Sequence, residues 1–326
     1  MNLSEFSDAD GALRNGTYAG LPITPVPKRG EPLPQDLPAP EAAAWRIGHW
    51  EDDDGQEFEA AFRHFVATLD TAKVAALIVG NWGGAYNNSS AKAIGLLTEH
   101  ADRFPALRSL FFGAMASEEC EISWIQQSDV TPLLTAFPLL ERLEVRGGSG
   151  LLLRPVRHDN LRVLRFETGG LPASVVRAVG DSEFPALEYL ALWLGTSEYG
   201  GDSAVADLET ILSGERLPVL RHLGLQDSEI QDEVAAAVAS APVVARLESL
   251  SLSMGVLGDE GAEALLSGQP LTHLKRLDLH HHYLTDPMVD KVRAAFAGSG
   301  VEVDLSEQEE PDEDEDDDWR YVAVSE

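Results

Sequence analysis

Three stretches of the chain share one leucine pattern at a spacing of 27 residues: LRHLGL at 220–225, LESLSL at 247–252 and LKRLDL at 274–279. Less regular copies occur earlier, around Leu110, Leu143, Leu164 and Leu190. Alternation of apolar residues over five or six positions predicts a strand with one buried face. A unit that repeats at this period cannot bury its apolar face alone, so neighbouring units must stack. The sequence therefore predicts a solenoid.

The second half of each repeat has the features of a helix. From Ser228 the chain reads SEIQDEVAAAVASA, in which Ser228 is a candidate N-cap and acids fill the first turn. Asp286 followed by Pro287 marks another helix start, because proline is tolerated at the first helical position. Phenylalanines at 58, 62 and 65 predict a helix before a first strand at 74–79. We expect an α/β horseshoe with parallel strands on its concave side and helices on its convex side.

The residues of the best repeat resemble a known family. Leu250, Leu252, Leu257, Gly258 and the segment 259–262 look like the helical, ribonuclease-inhibitor type of leucine-rich repeat, and the resemblance covers roughly residues 74–306. Where that family has asparagine, this chain has Ser228, Gly255 and His282. The wider chain also resembles an uncharacterised family of bacterial leucine-rich-repeat proteins encoded beside radical-SAM and ATP-grasp enzymes. That second resemblance implies neighbouring genes rather than an activity.

Composition along the chain predicts four segments. Residues 1–43 contain seven prolines between 22 and 40 and are expected to form an N-terminal arm or cap. Residues 44–306 form the solenoid. Residues 307–318, EQEEPDEDEDDD, hold ten acids in twelve positions and are expected to be a disordered linker. Residues 319–326, WRYVAVSE, alternate like a short strand and are expected to be a docking segment.

Charge and cysteine content exclude several classes of function. The chain has 55 acids against 24 bases, a net charge of −31, so nucleic acid and anionic membranes are not expected partners. The single cysteine, Cys120, excludes an internal disulfide and a zinc site built from several thiolates. The chain contains neither a secretory signal nor a run of 18 apolar residues. We therefore expect a cytoplasmic protein.

A candidate partner-binding surface follows from the strand alternation. Residues that flank the strand leucines point to the concave side, and arginine and aromatic side chains are the types that anchor interfaces. The predicted partner-binding residues are Arg146, Arg165, Tyr189, Trp193, His222, Gln226 and His280, together with Trp124 from the long loop 117–129. An alternative is that the arginines pair across strands with Glu144 and Glu167. Trp124 could equally pack into the core.

The sequence HHH at 280–282 suggests a metal site, with Asp278 two residues earlier. Alternation would place His280 and His282 on one side, and two imidazoles with one carboxylate are the minimum of a catalytic zinc or iron site. The alternative is a polar strand end. Acids around Cys120 disfavour a reactive thiolate, and the glycines of loop 195–203 could permit close approach of a ligand. The chain has no phosphate-binding, nucleophile-elbow or His-Glu-x-x-His motif, so no cofactor is expected.

These observations predict a non-catalytic intracellular scaffold that holds a protein or peptide on its concave face. If the second resemblance implies partners, a biosynthetic enzyme or its peptide substrate is expected. The alternative is a small-molecule- or metal-binding accessory component built around Asp278, His280 and His282. A third possibility is that residues 319–326 lie along the concave side until a partner displaces them.

Overall fold

The computed structural model of the protein describes residues 9–49, 54–314 and 317–326. The chain divides into two compact units, one ending at Glu167 and the other running from Thr168 to Ser325. Each unit repeats a strand, a loop and a helix or helical turn. None of the helices in the described residues has the length and apolar character needed to cross a membrane.

The first unit is built on parallel strands in sequence order. Its strands are β1 (Thr17–Tyr18), β2 (Leu21–Pro25), β3 (Ala44–Ile47), β4 (Ala76–Val79), β5 (Ser109–Phe112), β6 (Arg142–Arg146) and β7 (Val163–Glu167). Its helices are α1 (Ala9–Asn15), α2 (Gln56–Thr68), α3 (Ala91–Glu99) and α4 (Thr131–Ala136). Strands β2 to β7 pair in parallel, each with the next, and β1 pairs antiparallel with β2.

The second unit continues the same plan. Its strands are β8 (Tyr189–Gly195), β9 (His222–Ser228), β10 (Ser249–Ser251), β11 (Arg276–Asp278), β12 (Glu302–Asp304), β13 (Asp312–Asp314) and β14 (Asp317–Trp319). Its helices are α5 (Ala173–Asp181), α6 (Glu209–Ser213), α7 (Gln231–Val238), α8 (Asp259–Ser267) and α9 (Asp286–Phe296). Strands β8 to β12 pair in parallel, each with the next, and β13 pairs antiparallel with β14.

The leucine repeat sets the register of the strands. In the second unit Leu190, Leu223, Leu250 and Leu277 are paired one to the next across four strands. In the first unit the same row contains Leu77, Leu110, Leu143 and Leu164. These side chains are buried, and full burial of one leucine contributes about 1.5–3 kcal/mol. The α/β class and the leucine-rich-repeat arrangement are therefore confirmed.

The N-terminal arm differs from the expected boundary at residue 43. Strand β2 already belongs to the parallel sheet, because Ile23 is the register partner of Ala44. The segment before it turns over the strands, where Ala9 and Tyr18 form one buried apolar cluster with Ile78 and Phe111. The arm therefore covers the strand surface of the first unit.

Two further boundaries differ locally from expectation. Strand β9 extends through Ser228, and α7 begins only at Gln231. The Ser228 hydroxyl accepts the backbone N–H of Ile230, and Ile230 occupies the N-cap position of α7, so Ser228 is not the cap that the sequence predicted. Within the segment expected to be a disordered acidic linker, Asp312–Asp314 form β13, which pairs antiparallel with β14.

Candidate partner-binding surface

The strand surface of the first unit carries a buried network of ion pairs. Arg146 lies 2.9 Å from Glu167, and Arg165 lies 3.2 Å from Glu167 and 3.6 Å from Glu144. Arg142 also pairs with Glu144. The Arg146 side chain is only 3% exposed. The arrangement agrees with the alternative in which these arginines pair across strands.

The N-terminal arm completes this network. Asp10 on α1 lies 3.1 Å from Arg146, and the backbone N–H of Ala9 donates to Glu167 over 3.2 Å. The Arg142 guanidinium lies 4.8 Å from the centre of the Tyr18 ring. Burial raises the pKa of Tyr18 well above its usual value, and the charge of Glu144 adds to the shift. Residues 9–18 thus occupy the surface on which Arg146 and Arg165 were predicted to meet a partner.

The second unit presents a more accessible strand surface. Across β8 to β11, Tyr189, His222, Ser249 and Arg276 are paired one to the next, and Gly224, Ser251 and Asp278 form the adjacent row. We call this surface the second-unit strand face. Its half-buried side chains are Tyr189, Gln226, Ser249, Ser251, Arg276, Asp278, His280 and Asp304. His222 is more deeply buried, and Trp193 is fully buried.

Hydrogen bonds connect the second-unit strand face along its length. Gln226 donates to the Ser253 hydroxyl over 2.9 Å, and the hydroxyls of Ser253 and Ser251 lie 2.8 Å apart. Ser251 donates to Asp278 over 3.0 Å, and His280 Nδ1 lies 2.8 Å from the other Asp278 oxygen. The face is therefore a pre-organised polar row whose side chains hold one another in place.

Asp278 and His280 on this face shift each other's pKa. Hydrogen bonding to Asp278 raises the pKa of His280, although burial works in the opposite direction. Burial opposes ionisation of Asp278, but the hydrogen bonds and charge of His280 lower its pKa below the usual value. Burial lowers the pKa of His222, whose Nδ1 lies 2.8 Å from the Ser249 hydroxyl. A charged His280 beside a charged Asp278 is thus favoured, while His222 stays neutral.

The histidine run does not form the predicted trio of ligands. His281 has a left-handed backbone with φ 53°, which ends the strand alternation between His280 and His282. His282 Nδ1 accepts the backbone N–H of Leu284, and its Nε2 lies 3.4 Å from the carbonyl of Leu305. Both ring nitrogens of His282 are therefore engaged by the backbone.

Asp304 on β12, rather than His282 as the sequence predicted, is the third group beside Asp278 and His280. One ligand atom each from Asp278, His280 and Asp304 lie within 4.8 Å of one another. Asp304 was not among the predicted residues, although the alternation of Val301, Val303 and Leu305 marks a degenerate last strand that could have revealed it. In this arrangement Asp304 also accepts a hydrogen bond from Arg276 over 3.1 Å.

The two irregular loops serve different purposes. In loop 117–129, Trp124 is 55% exposed and so does not pack into the core. Burial, and after it the charge of Glu121, raises the pKa of Cys120 to about 11, which keeps the thiol protonated. In loop 195–203, a Cβ on Gly195 would lie 2.0 Å from the carbonyl of Gly169. The Gly195 position therefore serves contact between two backbone segments rather than access for a ligand.

Comparison with known proteins supports the fold. A crystal structure of a Bacteroides fragilis protein, a structural-genomics target, superposes with a TM-score of 0.72 and 29% identity over 80% of this chain and 72% of that one. An internalin from Listeria monocytogenes matches 82% of this chain and 73% of its own at 15% identity, with a TM-score of 0.30 that adds nothing to the argument. No protein-family model matches the chain. No curated protein matches it either.

Proposed function

We propose that the protein is a non-catalytic scaffold that holds a protein or peptide on the second-unit strand face. The leucine-rich-repeat fold is commonly used for protein binding, although fold alone does not assign a function. The observation that carries the proposal is the connected polar row from Gln226 to His280. Gln226, Ser251, Asp278 and His280 are partly exposed, and the buried Ser253 helps to hold them in place, so binding a partner costs little ordering entropy on this side.

The chemistry of the face favours a polar partner segment. Arg276, with 36% of its side chain exposed, and His280 supply positive charge, whereas Asp278, Asp304 and the serines supply acceptors. Tyr189 at the other end adds an aromatic side chain of the kind that anchors interfaces. Among the predicted residues, Tyr189, Gln226 and His280 stay in the proposed site, with His222 beside them. A biosynthetic enzyme or its peptide substrate remains the predicted class of partner, and a cytoplasmic location remains a prediction.

The test begins with capture of partners by the full-length protein from native lysate, followed by titration with the purified partner. Tyr189→Ala and Arg276→Ala should each weaken binding at least tenfold. Arg293→Ala on α9, where 63% of the side chain is exposed, removes an arginine away from the strand face and should bind like the wild type. A wild-type protein that captures no stoichiometric partner, or face variants that bind as well as the control, would contradict the proposal.

A second candidate function is metal binding at Asp278, His280 and Asp304. The closeness of their ligand atoms favours it, and an imidazole with two carboxylates suits several divalent metals. A metal would have to displace the hydrogen bonds that Asp278 accepts from Ser251 and His280. Titration of the chelator-treated protein with Zn²⁺ or Mn²⁺ tests the idea. Asp304→Asn should abolish binding, whereas Glu302→Gln on the same strand should not.

A further inference from the structure

The end of the chain lies against the carboxyl-terminal end of β9 and the loops that follow β10 and β11. Asp227, Met254 and His281 occupy the same place in three successive repeats, 27 residues apart, and all have left-handed backbones with φ of 55°, 69° and 53°. Non-glycine residues rarely adopt this conformation. The three residues therefore form a regular row at the carboxyl ends of the strands, separate from the second-unit strand face.

Backbone groups of residues 321–324 bond to this row at each repeat. The N–H of Val324 donates to Asp227 Oδ1 over 3.0 Å, and the N–H of Ala323 donates to the carbonyl of Met254 over 2.7 Å. At the third repeat His281 Nε2 lies 3.0 Å from the Tyr321 carbonyl, and the nearby Tyr283 hydroxyl accepts the N–H of Tyr321 over 2.9 Å and donates to its carbonyl over 3.0 Å. Recognition through main-chain groups is how proteins hold extended peptides.

Two side chains give this contact its chemical selectivity. The Arg320 guanidinium lies 5.6 Å from the centre of the Tyr283 ring, within the range of a cation–π interaction. Val322, two residues later, is buried. A Cβ on Gly258 would lie 2.5 Å from Arg320 Nη1, so the absence of a side chain there makes room for the guanidinium.

Acidic side chains surround the Arg320 position. They line a surface pocket of about 440 Å³ together with Arg320, and they are Glu229, Asp232, Glu233 and Glu260. Burial raises the pKa of Asp232, while hydrogen bonds from the backbone of Gly258 and Gly261 and the charge of Arg320 oppose the shift. The pocket thus fits a basic side chain.

The acidic sequence before residues 320–324 should weaken the binding of these residues to the row. Ten acids between 307 and 318 precede Arg320 in a protein whose net charge is already −31. Bringing that run beside an acidic pocket costs electrostatic repulsion, whereas its covalent attachment raises the effective concentration of the segment. A free peptide with the same anchors and without the acids would bind the pocket better per contact.

We propose that this row is a second binding site, for an extended peptide with a basic residue followed two positions later by a buried aliphatic one. Residues 320–324 occupy the site as a built-in competitor. The site is formed by Asp227, Met254, Tyr283 and the acidic pocket. It lies beyond the strand face assigned above, and the two sites are tested with different variants.

The test uses the full-length chain and a fluorescent peptide, WRYVAVSE, with the sequence of residues 319–326. Val322→Asp should release the segment from its own site and let the peptide bind at least tenfold more tightly than to the wild type. Val219→Asp is the matched control, because it makes the same change at an exposed valine of the second unit that does not contact the segment. Its peptide affinity should remain that of the wild type.

Two further measurements identify the site. In the Val322→Asp background, Tyr283→Phe should weaken peptide binding several-fold, and a peptide with glutamate in place of its arginine should not bind. Equal affinity for Val322→Asp and wild type, or no effect of Tyr283→Phe, would overturn the proposal. Thermal melting decides the remaining case: if Val322→Asp unfolds the protein, the segment is a structural cap and the proposal fails.

Discussion

Arg146 illustrates how a residue suited to binding can instead hold the fold together. It pairs with Glu167 and Asp10, and only 3% of its side chain is exposed. Removing one partner from a buried ion pair costs about 3–5 kcal/mol when the other charge is left unpaired, and Arg165, 3.2 Å from Glu167, compensates part of that loss here. We therefore expect Arg146→Met to lower the free energy of unfolding in urea by about 3 kcal/mol, the lower end of that range.

An exposed arginine in the same unit is the control for this prediction. Arg154 lies 3.0 Å from Asp129 but is 76% exposed, and exposed ion pairs contribute about 0–1 kcal/mol. Arg154→Met should therefore change the unfolding free energy by less than about 1 kcal/mol. A loss below about 1 kcal/mol in Arg146→Met as well would show that the network around Glu167 does not stabilise the folded protein.

Asp227 makes stability depend on pH in an unusual direction. Burial raises its pKa well above the usual value, while the N–H of Val324 opposes the shift. Between the unfolded pKa of about 3.9 and the raised folded value, the unfolded chain has lost its proton and the folded protein has kept it. The contribution of Asp227 to stability therefore falls as pH rises through this window.

Asp227→Asn should remove the contribution of Asp227 to the pH dependence of stability. Asparagine accepts the Val324 N–H, tolerates the left-handed backbone and does not titrate. We expect the melting temperature of the variant to decrease less than that of the wild type as pH is raised from 4 to 7. Parallel curves for the two proteins would contradict the prediction, since all other titrating groups are shared.

At the scale of one element, Gly261 in α8 is required for close packing against the preceding repeat. A Cβ there would lie 2.5 Å from Asp232 Oδ1 and 2.9 Å from the Asp232 Cα. Alanine would normally stabilise a helix interior by about 1 kcal/mol relative to glycine. We expect Gly261→Ala to destabilise the protein by about 1–3 kcal/mol instead, because overpacking outweighs propensity.

Gly95 in α3 provides the matched helix substitution. No atom lies within 4 Å of a Cβ placed there. Gly95→Ala should therefore stabilise the protein by about 0.5–1 kcal/mol, as propensity alone predicts. Urea unfolding of both variants decides the matter: a stabilising Gly261→Ala would show that α8 can move away from Asp232 without cost.

Elements with a strong local pattern could be predicted from sequence. The leucines of β9, β10 and β11 and the phenylalanines of α2 mark their own buried faces. Strand β2 could not be predicted because Pro22 and Pro25 suggest an irregular arm, whereas pairing with β3 gives it a place in the sheet. Strand β9 continues through Asp227, whose left-handed backbone no apolar pattern encodes.

The candidate site was predictable only in part, for a physical reason. Alternation correctly places Arg146, Arg165 and His280 on the strand surface, but it does not tell which other segment covers that surface. Asp10 pairs with Arg146, and Glu167, the partner of both arginines, accepts the N–H of Ala9, but residues 9–18 have no leucine pattern. The position of His282 depends on one backbone angle at His281. Contacts between distant segments are thus where sequence patterns stop being informative.

At the scale of the whole molecule, the dominant property is the net charge of −31. A charge far from zero destabilises a compact state through repulsion among its own groups, and salt screens that repulsion. The melting temperature should therefore rise as NaCl is raised from 0.01 M to 0.5 M.

A variant with the ten acids of 307–318 changed to their amides has a net charge of −21 and should melt higher at low salt, with a smaller response to NaCl. Sodium sulfate strengthens apolar burial as well as screening charge, so NaCl is the better salt for this comparison. If both proteins responded equally to NaCl, the acidic run would lie too far from the remaining charges to repel them, and the weakening that we attribute to it at the Arg320 pocket would fail with it.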